Sequence, residues 1–125
     1  MADTEERVRA VSEDIGLQDA VDQLSGVLSH GKKQWLEIDM LLAQDPRLLL
    51  VDEPAASISL TEREQTTDIL VRAAKTRAVM VAEHDIELVR RLNCKVKVLH
   101  QRSILAKGSL DHNTENRGVV DVCLR

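Results

Sequence analysis

Asp52-Glu53 and, further along, His84 are residue types able to work on a phosphoryl group. An aspartate can hold Mg2+ directly or through water. A glutamate beside it can orient or activate a water, and an imidazole can contact a phosphate oxygen or relay a proton. A third set, Leu28-Ser29-His30-Gly31-Lys32-Lys33, offers a hydroxyl, a glycine that admits a ligand close to the backbone, and two cations. Where a helix opens, that is the chemistry of anion binding. Each set also has an ordinary structural reading: an acidic turn after a strand, a histidine bonded to its neighbours, a capped amphipathic helix. Placement has to decide between them.

The elements around these residues supply that placement. Leu48-Leu49-Leu50-Val51, preceded by Asp45-Pro46 and stopped by Pro54, predicts a strand buried on both faces of a parallel sheet, with Asp52 and Glu53 at its carboxyl tip. In open α/β sheets ligands sit at that end of the strands. Ala55 to Ser59 reads as a small-residue loop. Thr61-Glu62-Arg63-Glu64 predicts a capping box for a helix running to about Lys75, with Ile69, Leu70 and Ala73 on its inner side. Ala78-Val79-Met80-Val81-Ala82 is then a second strand, ending in Glu83-His84-Asp85. Strand, helix and strand in succession make a right-handed βαβ unit with parallel strands, so Glu53 and His84 are expected at the same sheet edge.

Upstream, Val8, Val11 and Ile15 at helical spacing predict a helix over residues 4–15, ended by Gly16, and a second short helix is expected over Leu17 to Leu24. A third helix opens near Ser29 and runs to Asp45-Pro46, with Trp35, Ile38, Leu41 and Leu42 on one face. Gly26 to Lys33 also matches G-x-x-x-x-G-K, but Lys33 stands where a phosphate-binding loop needs Ser or Thr, and the residues before it read as helix rather than strand. Downstream, residues 85–92 predict a short helix, Lys95 to Leu99 a half-buried strand paired with Ser103 to Ala106 around Gln101-Arg102, and 111–125 a short packing helix.

Composition narrows the functional classes. Trp35 is the single aromatic side chain among 125 residues, so the core is aliphatic and stacking platforms for single-stranded nucleic acid are missing. Seventeen basic and 21 acidic residues, net −4 and evenly mixed, argue against a nucleic-acid footprint or a membrane-binding patch. Cys94 and Cys123 lie in no metal-ligand pattern, which fits reduced thiols in a cytoplasmic protein. No run approaches membrane-spanning length, and the charged stretch Met1 to Arg7 does not read as a signal peptide, so none is expected.

The ordered set Leu28-Ser29-His30-Gly31, then Leu48 to Glu53, then His84, resembles the nucleotide-binding subunit of ABC transporters. In that family these positions correspond to the signature motif, Walker B and the H-switch, with the D-loop following Walker B. The wording Leu28 to Ile38 and Leu41 to Pro54 is similar to the ATPases of urea and branched-chain amino-acid uptake systems, the urea type in particular. The resemblance runs from about Glu5 nearly to the end of the chain.

The resemblance implies an α/β fold, part of the P-loop NTPase-like ABC ATPase, with a parallel βαβ core, a helical segment at the N-terminus and a C-terminal β-hairpin plus helix. Residues 1–45 would belong to the helical subdomain with the signature motif, and 46–125 to the C-terminal part of the ATPase core. It implies ATP hydrolysis driving import, with Asp52 for Mg2+, Glu53 for the attacking water and His84 for the γ-phosphate. Ser29, His30, Gly31 and Lys32 would meet the ATP of a dimer partner, and transmembrane permease subunits would complete the system at the inner face of the cell membrane. The Walker A loop, the adenine-stacking aromatic and the Q-loop of the family are not found in the sequence, so the chain alone is expected to be inactive. A non-catalytic or self-associating module derived from such a subunit is the alternative. Three departures stand out: Lys32 in place of Gln, Ser57 and Ser59 in place of Gly and Asn or Asp, and Gln101-Arg102 in place of the usual Gly of the final hairpin.

Overall fold

Strands β1 (Leu48–Asp52) and β2 (Ala78–Ala82) run parallel, Leu48 opposite Ala78 and Asp52 opposite Ala82, in the computed structural model, which describes residues 2–20 and 22–123. Before them come α1 (Ala2–Asp14) and α2 (His30–Leu42). Helix α3 (Leu60–Ala73) joins the two strands. After them follow α4 (Ile86–Leu92), the antiparallel pair β3 (Val96–His100) and β4 (Ser103–Gly108), and the helices α5 (Leu110–Glu115) and α6 (Arg117–Cys123). The chain forms two compact units, one ending at His84 and one beginning at Asp85.

In the first unit the helices are held by capping and by a few buried contacts. Ser29 caps α2, its Oγ accepting from the Lys32 N–H at 3.2 Å. Trp35, buried in α2, donates from Nε1 to Thr66 Oγ1 of α3 at 2.8 Å, and Ile38, Ile69, Leu70 and Ala73 are buried with it. Burial of each of the isoleucine and leucine side chains contributes roughly 1.5–3 kcal/mol. Ser12 of α1 donates to Asp39 Oδ2 of α2 at 2.9 Å.

Several expectations change here. Of the helix predicted over Leu17 to Leu24 the described residues form only the 3-10 turn Gln18–Ala20, a second such turn, Ser25–Val27, follows it, and Val21 lies outside the described residues. The capping box of α3 sits two residues earlier than predicted. Ser59 is the cap and Glu62 its N3 partner, a pairing that satisfies two backbone donors. Leu41 is exposed rather than buried beside Trp35.

The strand expected to be buried on both faces is buried on one. Leu49 is 2 % exposed, whereas Leu48, Leu50 and Met80 are 50 %, 61 % and 60 % exposed. Side chains alternate along a strand, and among the described residues one face of this two-stranded sheet has no covering layer.

In the second unit, β3 alternates as predicted and pairs with β4 through a bulge opposite Val98 and Leu99. Gln101 and Arg102 make the turn at φ 47° and 65°, left-handed values that favour glycine or asparagine. The single tail helix is two, divided at Asn116.

Candidate functional site

Parallel pairing brings Glu53 and His84 out together. The Glu53 N–H extends the ladder to the Ala82 carbonyl at 2.8 Å, and Glu53 then turns the chain at φ 46°. Non-glycine residues held in this region cluster at functional sites. The His84 ring follows β2, its Nδ1 3.4 Å from Glu53 Oε1. Both side chains remain accessible, 78 % and 56 % exposed, as a pair that must meet a ligand requires.

Beneath them lies a residue that the sequence reading passed over. The Glu83 side chain is 1 % exposed. Its Oε2 accepts from the Ala55 N–H at 3.0 Å and its Oε1 from the His84 N–H at 2.9 Å, with His84 Nδ1 3.6 Å away. One carboxylate thus ties the loop after β1 to the loop after β2 and fixes the spacing of Glu53 and His84. The available signal was an acidic residue directly at a strand end beside a functional candidate. Gln34 of α2 adds a longer contact, donating to the Glu53 carbonyl at 3.5 Å.

Ser29, His30, Gly31 and Lys32 occupy the cap and first turn of α2, a 13-residue helix, where free N–H groups favour an anion. The place facing them is taken by Glu62. Ser29 Oγ donates to Glu62 Oε1 at 2.8 Å, while the Ser59 N–H and Oγ each reach Glu62 Oε2 at 2.9 Å. The Ser59 N–H first, then the hydroxyls of Ser29 and Ser59 and the nearby His30, hold Glu62 below its ordinary carboxylate range.

The family model described as "ABC transporter" matches residues 3–56. A Synechocystis protein named as ABC transporter ATP-binding protein sll0385 is 36 % identical over 107 residues, 86 % of this chain and 37 % of that protein. The chain is homologous to the ABC transporter ATP-binding domain. BraF of Pseudomonas aeruginosa, a high-affinity branched-chain amino acid transport ATP-binding protein, is 31 % identical over 117 residues, 90 % of this chain and 45 % of BraF. Among solved structures, the ADP conformation of the ATP-binding cassette MJ1267 superposes with a TM-score of 0.87 at 22 % identity, over 98 % of this chain and 50 % of that one. The cbiO1 protein of Clostridium perfringens, part of the ABC transporter complex cbiONQ, gives 0.81 at 25 % identity, over 97 % and 49 %. The chain therefore spans between about a third and a half of the length of the relatives it matches, and its fold is part of the ABC ATPase fold.

The family binds ATP, typically with Mg2+, and the metal has to be tested against the residues present. Asp52 is exposed at the end of β1. Among the described residues no three His, Cys, Asp or Glu side chains gather as a metal site. An exposed carboxylate such as that of Asp52 is the kind of ligand Mg2+ takes, one or two carboxylates with the shell completed by water and substrate phosphates. In the Gly26–Lys33 stretch the 3-10 turn Ser25–Val27 covers the first two residues and Gly31 lies within α2. Among the described residues no helix is long and apolar enough to cross a membrane.

Proposed function

We propose that this chain supplies the C-terminal part of the ATP-binding subunit of an ABC importer of the urea or branched-chain amino-acid class. The observation that carries the reading is the Glu53–His84 pair, 3.4 Å apart at the carboxyl ends of two parallel strands. Glu53 orients the attacking water and accepts its proton, and His84 contacts the γ-phosphate. Glu83 holds the two at working distance. Asp52 would hold Mg2+, which would supply positive charge to neutralise the phosphate group. Residues 1–45 form part of the helical subdomain and 46–125 part of the ATPase core. In this reading Ser29, His30, Gly31 and Lys32 are the signature motif and meet a phosphate held mainly by a dimer partner, with permease subunits at the inner face of the membrane. As a separate 125-residue polypeptide the chain has little affinity for nucleotide, because no Walker A loop cradles the phosphates.

Calorimetric titration of Mg-ATP into the chain tests this, with Glu53→Gln and Lys32→Ala alongside. Absence of binding at millimolar nucleotide is the expected outcome. Tight binding lost in Lys32→Ala would restore Gly26–Lys33 as a phosphate loop and overturn the reading. The uncovered face at Leu48, Leu50 and Met80 favours one second reading, a non-catalytic module that persists by associating with another polypeptide.

A further inference from the structure

The two carboxylates near the His84 ring approach the same nitrogen. Nδ1 lies 3.4 Å from Glu53 Oε1 and 3.6 Å from Glu83 Oε1, and among the described residues no carboxylate oxygen comes as close to Nε2. Ionised carboxylate oxygens only accept, so a lone pair on Nδ1 would face two negative oxygens, whereas an N–H there faces two acceptors. The two carboxylates are not equivalent. Glu53 is 56 % exposed and free to turn into solvent. Glu83 is 1 % exposed and has both oxygens engaged by the backbone, Oε2 by the Ala55 N–H and Oε1 by the His84 N–H. Its charge stays beside Nδ1 whatever Glu53 does. We propose that Glu83 is a positioning residue that sets the tautomer of His84, keeping the ring proton on Nδ1 and leaving Nε2 as the nitrogen that a ligand meets. The proposal deepens the reading of His84 as the phosphate contact and rests on it for what Nε2 meets.

The tautomer decides what the ring can do. A neutral His84 with its proton on Nδ1 presents a lone pair at Nε2, so it accepts a hydrogen from a water or a phosphate hydroxyl and has none to give there. If that proton is transferred, the new N–H bond forms at Nε2, the O–H bond breaks, and its electron pair stays on the oxygen. The anchor is also local to the ring. Glu83 precedes His84 in the chain and binds the N–H of the very residue whose side chain it orients, while Ala55 ties its other oxygen to the loop after β1. Movement of that loop therefore reaches the imidazole through one side chain.

The test uses the full 125-residue chain, labelled with 15N and free of nucleotide, at about pH 8, where an ordinary imidazole is neutral. Long-range 1H–15N spectra distinguish a protonated ring nitrogen from an unprotonated one, and His84→Gln assigns the His84 ring among the four histidines. Glu83→Gln and Glu53→Gln each remove one charge, with circular dichroism and Trp35 emission as the check on folding. The Nδ1–H form is expected to exceed the Nε2–H form by at least about threefold in the parent and in Glu53→Gln. In Glu83→Gln the ring should fall back toward the Nε2–H form that free histidine prefers in water. A majority of Nε2–H in the parent overturns the proposal without recourse to any variant. Nδ1–H kept in a folded Glu83→Gln chain overturns it too, as does its loss in Glu53→Gln, which would make Glu53 the orienting group. Should Glu83→Gln fail to fold, the parent and Glu53→Gln decide. Every spectrum is taken without nucleotide, so the Mg-ATP titration can overturn the phosphate reading of the site while the tautomer stands, and the reverse.

Discussion

Two carboxylates of this chain have opposite relations to pH. Glu62 is held below the ordinary range by the bonds from Ser59 and Ser29. Its contribution is thus fully present above the unfolded-state pKa and is lost as pH falls through the lower folded-state value. Asp39 is raised, because burial penalises its charge by more than the Ser12 hydrogen bond recovers, and its Oδ1 has no partner among the described residues. A raised acid works the other way. It costs stability as pH climbs from the unfolded-state pKa through the folded-state one. Thermal melts between pH 3 and pH 7 should therefore show Asp39→Asn gaining on the parent chain toward neutrality, and Glu62→Gln lacking part of the parent's loss in acid. The cap at Ser59 can be measured separately. Ser59→Ala should cost about 1 kcal/mol in urea unfolding at neutral pH.

At the scale of elements, two of the departures from the wording that the resemblance implies fall where the backbone is left-handed. Ser57 sits at φ 58° and Gln101-Arg102 at φ 47° and 65°, so side chains occupy left-handed positions where glycine carries no Cβ penalty. Replacing Gln101-Arg102 by Asn-Gly should stabilise the second unit by about 1 kcal/mol or more, read from the midpoint of its unfolding. The α2–α3 junction behaves differently. Trp35 is 4 % exposed and bonded to Thr66, so its emission reports the docking of these two helices rather than the approach of a partner. Trp35→Phe should lose the bond and roughly 0.5–1.5 kcal/mol, and Trp35→Ala about 3–5 kcal/mol.

Much of this element order was legible because the strands and long helices are written in period and punctuation. Pro46 and Pro54 bracket β1, Ser29 caps α2, and the apolar run 78–82 is β2. The juxtaposition of Glu53 and His84 followed from the parallel connection alone. Glu83 and Glu62 did not follow. Both act through oxygen atoms turned toward donors distant in sequence, Ala55 for one and Ser29 for the other, and no local pattern encodes such a meeting. The residues 17–24 misled because apolar side chains at helical spacing are compatible with short 3-10 turns as well as with a helix.

For the molecule as a whole, the uncovered sheet face is the dominant physical fact. Parallel sheets are ordinarily covered on both sides, and here Leu48, Leu50 and Met80 face outward from a pair of strands. Such a face, beside open strand edges, favours association. Leu50→Lys combined with Met80→Lys should lower the weight-average mass seen in sedimentation velocity as concentration rises, while leaving the circular dichroism unchanged. An unchanged mass would show that this face is not where copies meet.

The register of the two sheets also sets an order of events in time. Leu48 finds Ala78 thirty residues later, a closure costing about 3 kcal/mol of chain entropy before any pairing is gained, whereas Leu99 meets Ile104 across a tight turn. Helix α3 shortens that long gap only once it has formed. Refolding of the first unit should then slow when the α3 cap is weakened, and the β3–β4 hairpin should close on the microsecond scale of local pairs, well ahead of the strands that carry Glu53 and His84.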